Sequence, residues 1–173
     1  MRTISLGAGA LFLGALIAPS ANAQSGLPGG ANSLREVHGD WVVICSAQDG
    51  AKACVMQQEL RVQQSGQLVL AVELQPKSGG AEGNLVLPFG LALARGTSIQ
   101  VDEGSSTSLP FRTCLPVGCV ASVNFDAATL GALRRGTSLN VSVTPDGGLP
   151  EMQWAASLQG FGSAYDRAAA LLQ

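Results

Sequence analysis

Short apolar runs, most alternating with polar residues and separated by turn-forming residues, fill the chain from Trp41 to Leu158. In the first, Trp41, Val43 and Cys45 alternate with Val42 and Ile44, a period of two that reads as a strand. If Cys45 and Cys54 are cross-strand neighbours, Met56 falls opposite Val43 and Gln58 opposite Trp41. Both faces of that run are apolar, which predicts an interior strand covered on both sides. Asp49-Gly50 lies in the polar connection between the two runs.

Further runs follow. Leu68, Leu70, Val72 and Leu74 share one face of a strand that begins after the turn Gln64-Ser65-Gly66, and residues 75–80 read as an exposed loop. Asn84 to Leu87 stops at Pro88, which cannot donate to a ladder. Ser98 to Asp102 is a short alternating strand, and Glu103 to Ser108 a Gly/Ser/Thr loop. Residues 109–114 and 119–123 flank Leu115-Pro116-Val117-Gly118, a composition suited to a tight turn. Asp126 to Gly136 is a helix candidate, with Asp126 as its cap, Leu130 and Leu133 as its apolar pair and Gly136 as its stop. Ser138 to Thr144 and Glu151 to Leu158 are strands around the turn Pro145-Asp146-Gly147-Gly148, and residues 163–172 have helical spacing. The pattern predicts an all-β fold, a mainly antiparallel β-sandwich or partly closed barrel, with one or two short helices.

The N-terminus differs from the rest. Arg2 precedes an apolar stretch, Ile4 to Ile17, and Ala21-Asn22-Ala23 has the small residues a signal peptidase reads. We therefore expect a cleaved signal peptide at 1–23, a flexible Gly/Pro/Ser leader at 24–34 and one β-rich domain at 35–173. No later segment has the length and apolarity of a transmembrane helix.

The net charge is -2, and loss of Arg2 with the signal makes it -3. An electrostatic grip on nucleic acid needs clustered Lys and Arg, so no nucleic-acid partner is expected. Arg134-Arg135, the one basic doublet, reads as a partner for a helix C-terminus. In an exported chain the four cysteines, Cys45, Cys54, Cys114 and Cys119, read as disulfides. Of the three connectivities, nearest-neighbour pairing places each bond across a plausible turn. Chain entropy gives such bonds about 2.7 and about 2.2 kcal/mol.

Catalytic chemistry finds little support. His38 is the sole histidine; with Asp40 it lacks a nucleophile motif such as G-x-S-x-G. Asp102-Glu103 is an acidic pair beside a polar loop, short of the six oxygens a calcium site wants. Trp41 and Trp154 sit in alternating runs and read as core rather than as stacking platforms. We expect no catalytic, metal or cofactor-binding residue.

Trp41-Val42-Val43-Ile44-Cys45 with Cys54, Leu87-Pro88-Phe89-Gly90, Phe111-Arg112-Thr113-Cys114 with Gly118-Cys119, and Ser157-Leu158-Gln159-Gly160-Phe161 together resemble the invasion-associated locus B family. The resemblance runs from about Gly39 to the C-terminus and implies an exported protein of Gram-negative bacteria: periplasmic, outer-membrane-associated or secreted. Some members are linked to invasion of host red blood cells. It carries over no catalytic residues, only the cysteine framework. The expected function is that of a non-enzymatic envelope or surface protein with a protein or envelope-component partner. The alternative is a small-ligand (sugar or peptide) binder or weak hydrolase, using a cleft near His38 and a tryptophan.

Overall fold

The computed structural model describes residues 26–173; the expected signal peptide lies outside them. Strands β1 (Ser33–His38), β2 (Trp41–Gln48), β3 (Ala51–Arg61), β4 (Leu68–Lys77), β5 (Gly80–Leu87), β9 (Gly118–Phe125) and β8 (Phe111–Leu115) form one antiparallel sheet in that spatial order. A smaller sheet runs β11 (Met152–Ser157), β10 (Ser138–Val143), β6 (Thr97–Val101) and β7 (Thr107–Leu109). Helices α1 (Ala127–Arg135) and α2 (Phe161–Leu172) complete the fold. The sheets form an open sandwich, not a closed barrel.

Local chemistry explains the elements. Asp49 and Gly50 both have positive φ, 51° and 79°, which suits the two-residue turn that joins β2 to β3 without splaying them. That turn sets the register Cys45↔Cys54 and Val43↔Met56. Asp126 caps α1 by accepting from the Thr129 N–H at 2.8 Å. Gly136 ends α1 for a reason other than left-handed backbone. Its φ is -76°, but a Cβ there would stand 2.8 Å from Val101 Cγ1 and 2.9 Å from an Asp102 carboxylate oxygen. Packing, rather than conformation, calls for glycine.

The core lies between the inner face of the large sheet, the small sheet and α2. Trp41, Val43, Met56, Leu70, Val72, Leu74, Leu85 and Leu87 come from the large sheet, and Leu139 and Val141 from the small one. Helix α2 adds Phe161, Ala164, Tyr165, Ala168 and Leu171, the i, i+3, i+4 spacing of a buried stripe. The Phe161 ring meets Trp41 edge-on with centroids 5.2 Å apart. The Tyr165 hydroxyl donates to the Gly80 carbonyl at 2.7 Å, fixing the helix to the start of β5.

Four expectations change. β2 is interior, but only its inner face is fully covered: Val42 and Ile44 are half-buried, because the outer face of the large sheet meets solvent. Residues 75–80 are not a loop. Pro76 is buried in β4 opposite Ala81, and only Ser78-Gly79 turns the chain. The ladder to β3 runs no further along β4 than Leu74, so the missing proline N–H leaves no gap in it. Leu27, within the expected leader, is buried in the core, and β1 begins at Ser33 rather than after residue 34. Finally, α2 starts at Phe161, two residues before the periodic tail, behind Gly160 with φ 86°. A Cβ at Gly160 would lie 2.0 Å from the His38 carbonyl oxygen, so this helix start and the β1–β2 turn touch backbone to backbone.

Candidate functional site

The residues weighed for chemistry have structural occupations: His38, Asp40 and Trp41 share the β1–β2 turn, while Asp102 and Trp154 belong to the smaller sheet and its edge. His38 sits on β1 beside Glu36, Nε2 to Oε2 3.5 Å, and Nε2 has no hydrogen-bond partner. Glu36 accepts two bonds from Arg167 of α2, at 2.7 and 2.8 Å. Those bonds hold the Glu36 carboxyl below its ordinary range. Asp40 joins the turn that packs on α2, its N–H donating to Gln159 O at 3.1 Å. Trp41 is fully buried and donates from Nε1 to Ser157 O at 2.8 Å, while Trp154 is half-buried against the core. The Asp102 carboxylate accepts from the N–H groups of Thr137 and Ser138, which lowers its pKa and pins the end of β6 to the start of β10. Among the described residues no cluster of three or more His, Cys, Asp or Glu is placed to hold a metal.

Arg134 does more than complement a helix end. It makes a two-pronged pair with Asp166 of α2 and lies over the Tyr165 ring, 4.8 Å from its centroid. The Asp166 carboxylate raises the Arg134 pKa and is itself held below the usual carboxylate range by it. For one interior polar group the sequence reading gave the register but not the role. Gln58, buried opposite Trp41 on β3, donates to Asp40 O at 3.2 Å and Ser157 O at 2.9 Å and accepts from Ser157 N at 2.8 Å. It joins the two sheets.

The disulfides occupy different settings. Cys45–Cys54 is buried in the core with Cα atoms 4.1 Å apart. Cys114–Cys119 closes the β8–β9 hairpin with Cα atoms 3.9 Å apart; Cys119 is buried and Cys114 exposed. That hairpin carries exposed apolar side chains. Its turn exposes Leu115 by 47% and Val117 by 67%. The neighbouring segment after β5 exposes Phe89 by 60%. The pairing Leu87↔Cys119 sets Pro88-Phe89 alongside Val117-Gly118. Asp146 N–H donates to Gly90 O at 2.8 Å, so the loop carrying Leu149, 61% exposed, adjoins the same end.

Charge is distributed unevenly around this end. No acidic residue occurs in 83–101 or 104–125, the segments that build β5's end, β6, β7, β8 and β9. They carry two cations, Arg95 and Arg112. A register shift between Phe111 and Thr113 marks a bulge at Arg112, which lines a hollow of about 390 Å³ on the outer sheet face with Glu73, Glu82, Ser122 and Asn124. Arg95 lies by Pro110 and Phe111 in a second groove. Large exposed apolar side chains at a sheet end, with arginines behind them, form the composition of an interaction surface. In the sequence, Pro-Phe-Gly at 88–90 and Pro-Val-Gly at 116–118 mark two turns whose middle residue is apolar; that was the available signal.

Comparison with known proteins gives concordant results. The family model described as invasion associated locus B protein matches residues 41–169. The chain is similar to an invasion protein B homolog of Brucella abortus (strain 2308), 47% identical over 158 residues, spanning 91% of each chain. It is 41% identical over 120 residues to invasion protein B of Bartonella bacilliformis, covering 68% of this chain and 64% of that protein. Among solved structures, the crystal structure of invasion associated protein b from Bartonella henselae is 34% identical with a TM-score of 0.75, covering 80% of this chain and 97% of that one.

Proposed function

Because this chain belongs to the invasion associated locus B family, we propose that it is an exported, non-enzymatic envelope or surface protein that works by docking a partner. The apolar end at Phe89, Leu115 and Val117 is its contact. The observation that carries this reading is that end itself: three large apolar side chains on two adjacent turns, one turn closed by a disulfide, with no acidic residue within 83–101 or 104–125. Such side chains cost solubility unless something covers them. Two disulfides and a signal-like N-terminus support an oxidising destination, the periplasm or the cell surface. Among the described residues no helix is long and apolar enough to cross a membrane. Names such as "invasion protein B" attach to relatives; a part in invasion is the finer form of the same proposal.

The ligand-binding or hydrolytic alternative lacks its supports. Trp41 is buried in the core, and His38 lies beside Glu36, whose carboxylate is held by Arg167. The test is affinity capture from envelope extracts with the wild type and with Phe89→Ser/Val117→Ser. We expect envelope material, protein or lipid, that the wild type retains and the double variant does not. Equal recovery by both proteins would overturn the assignment of the surface.

A further inference from the structure

Resting on that reading, we propose that the partner surface is an anionic lipid bilayer, with the tips at Phe89, Leu115 and Val117 entering the headgroup–acyl boundary while Arg112 and Arg95 meet lipid phosphates. Shape favours this over a flat protein contact, because the apolar groups sit on two turns at one end of the large sheet. Backbone chemistry agrees. A segment entering a low-dielectric layer must leave few N–H groups unpaired, and Pro88 and Pro116 bring none. The flanking residues 86, 87, 119 and 120 are already paired between β5 and β9.

Dimensions and charge fit as well. Arg112 is three residues behind Leu115 on β8, about 10 Å at strand rise. Interfacial elements bury their apolar face about 5–10 Å into the boundary, so insertion to Leu115 brings the Arg112 level to the phosphates. Arg95, against Pro110 and Phe111, lies at a similar or greater height. Neither arginine forms an ion pair within the described residues. Asp40, Glu59, which is paired with Arg61, and Asp146 on the adjoining loop are acids at this end. Glu73 and Glu82 share the hollow of Arg112 but stand level with β5 positions three and five residues behind Leu87, farther from the tips.

The Cys114–Cys119 bond holds the turn in place before contact, so little ordering entropy opposes insertion. Each arginine near an anionic surface contributes about 1 kcal/mol, and about 1.4 kcal/mol is tenfold in affinity, so removing both costs about 30-fold.

The experiment is co-sedimentation of the mature protein with vesicles of phosphatidylcholine alone or mixed with phosphatidylglycerol, at low and high salt. We expect binding to the mixed vesicles that salt weakens and that drops about 30-fold in Arg95→Ala/Arg112→Ala. Phe89→Ser/Val117→Ser should lose more than tenfold with an unchanged melting curve. A Phe89→Trp reporter should shift its emission to the blue only with the mixed vesicles. Wild-type protein left in the supernatant with mixed vesicles overturns the proposal, as does binding that either double variant retains in full. Binding to an acidic, leucine-containing peptide without binding to vesicles also overturns it in favour of a protein partner. In that case Phe89-dependent capture would still stand, so the two readings fail separately.

Discussion

Replacing Gln58 by methionine should remove the joint between the two sheets while keeping its volume. The amide makes three bonds, to Asp40 O, Ser157 O and Ser157 N, at 3.2, 2.9 and 2.8 Å. Ser157 O keeps a partner in the variant because Trp41 Nε1 also donates to it at 2.8 Å. Ser157 N–H loses its recorded acceptor and Asp40 O its side-chain donor. An orphaned buried polar group costs about 1–3 kcal/mol, and the methionine regains part of this by sparing the burial of an amide. The expected net loss is about 2 kcal/mol. For a domain of this size about 1 kcal/mol moves Tm by about 2–4 °C, so Tm should fall by about 4–8 °C. The assay is urea unfolding monitored by circular dichroism, with the midpoint moving at constant slope. Retention of wild-type stability by Gln58→Met, within about 0.5 kcal/mol, would refute the account of this joint.

The two disulfides should separate by setting. Loop closure gives similar contributions to both, but Cys45→Ala/Cys54→Ala also opens a cavity in the core. Thermal melts should show it the more damaging pair, while Cys114→Ala/Cys119→Ala should cost about 2 kcal/mol and chiefly weaken binding by the apolar tip. Acid should destabilise the protein. Glu36, Asp102, Asp126 and Asp166 all have depressed folded-state pKa values. The stability they supply is present above the ordinary carboxylate range near about 4 and is lost as pH falls through the lower folded values. Glu36→Gln should flatten that decline, because the acid form no longer has to displace the Arg167 pair; an unchanged pH–stability profile would contradict the assignment.

Legibility from sequence followed the range of the forces involved. Strand alternation, the Asp49-Gly50 turn and the Asp126 cap are local, and they read through directly. Residues 75–80 misled because Ser, Gly, Pro and Lys look like loop, whereas the ladder from β5 extends the strand through Pro76 to Lys77. Leu27 looked like leader because nothing nearby in sequence hints that the core reaches it. Gln58 was placed opposite Trp41 by register alone, yet its partner Ser157 is 99 residues away, and no local pattern encodes that contact. The candidate surface was half legible. Its two Pro-apolar-Gly turns stood in the sequence, but their adjacency depends on β5 pairing with β9.

The central claim is that the end carrying Phe89 and Val117 is the working surface. The most direct measurement places a photo-crosslinking benzoylphenylalanine at position 89 or, as control, at exposed Ser78 in the β4–β5 turn, and irradiates intact envelopes. Discrete adducts from position 89 and none from position 78 are predicted. Adducts from position 78 alone, or equally from both, would contradict the account.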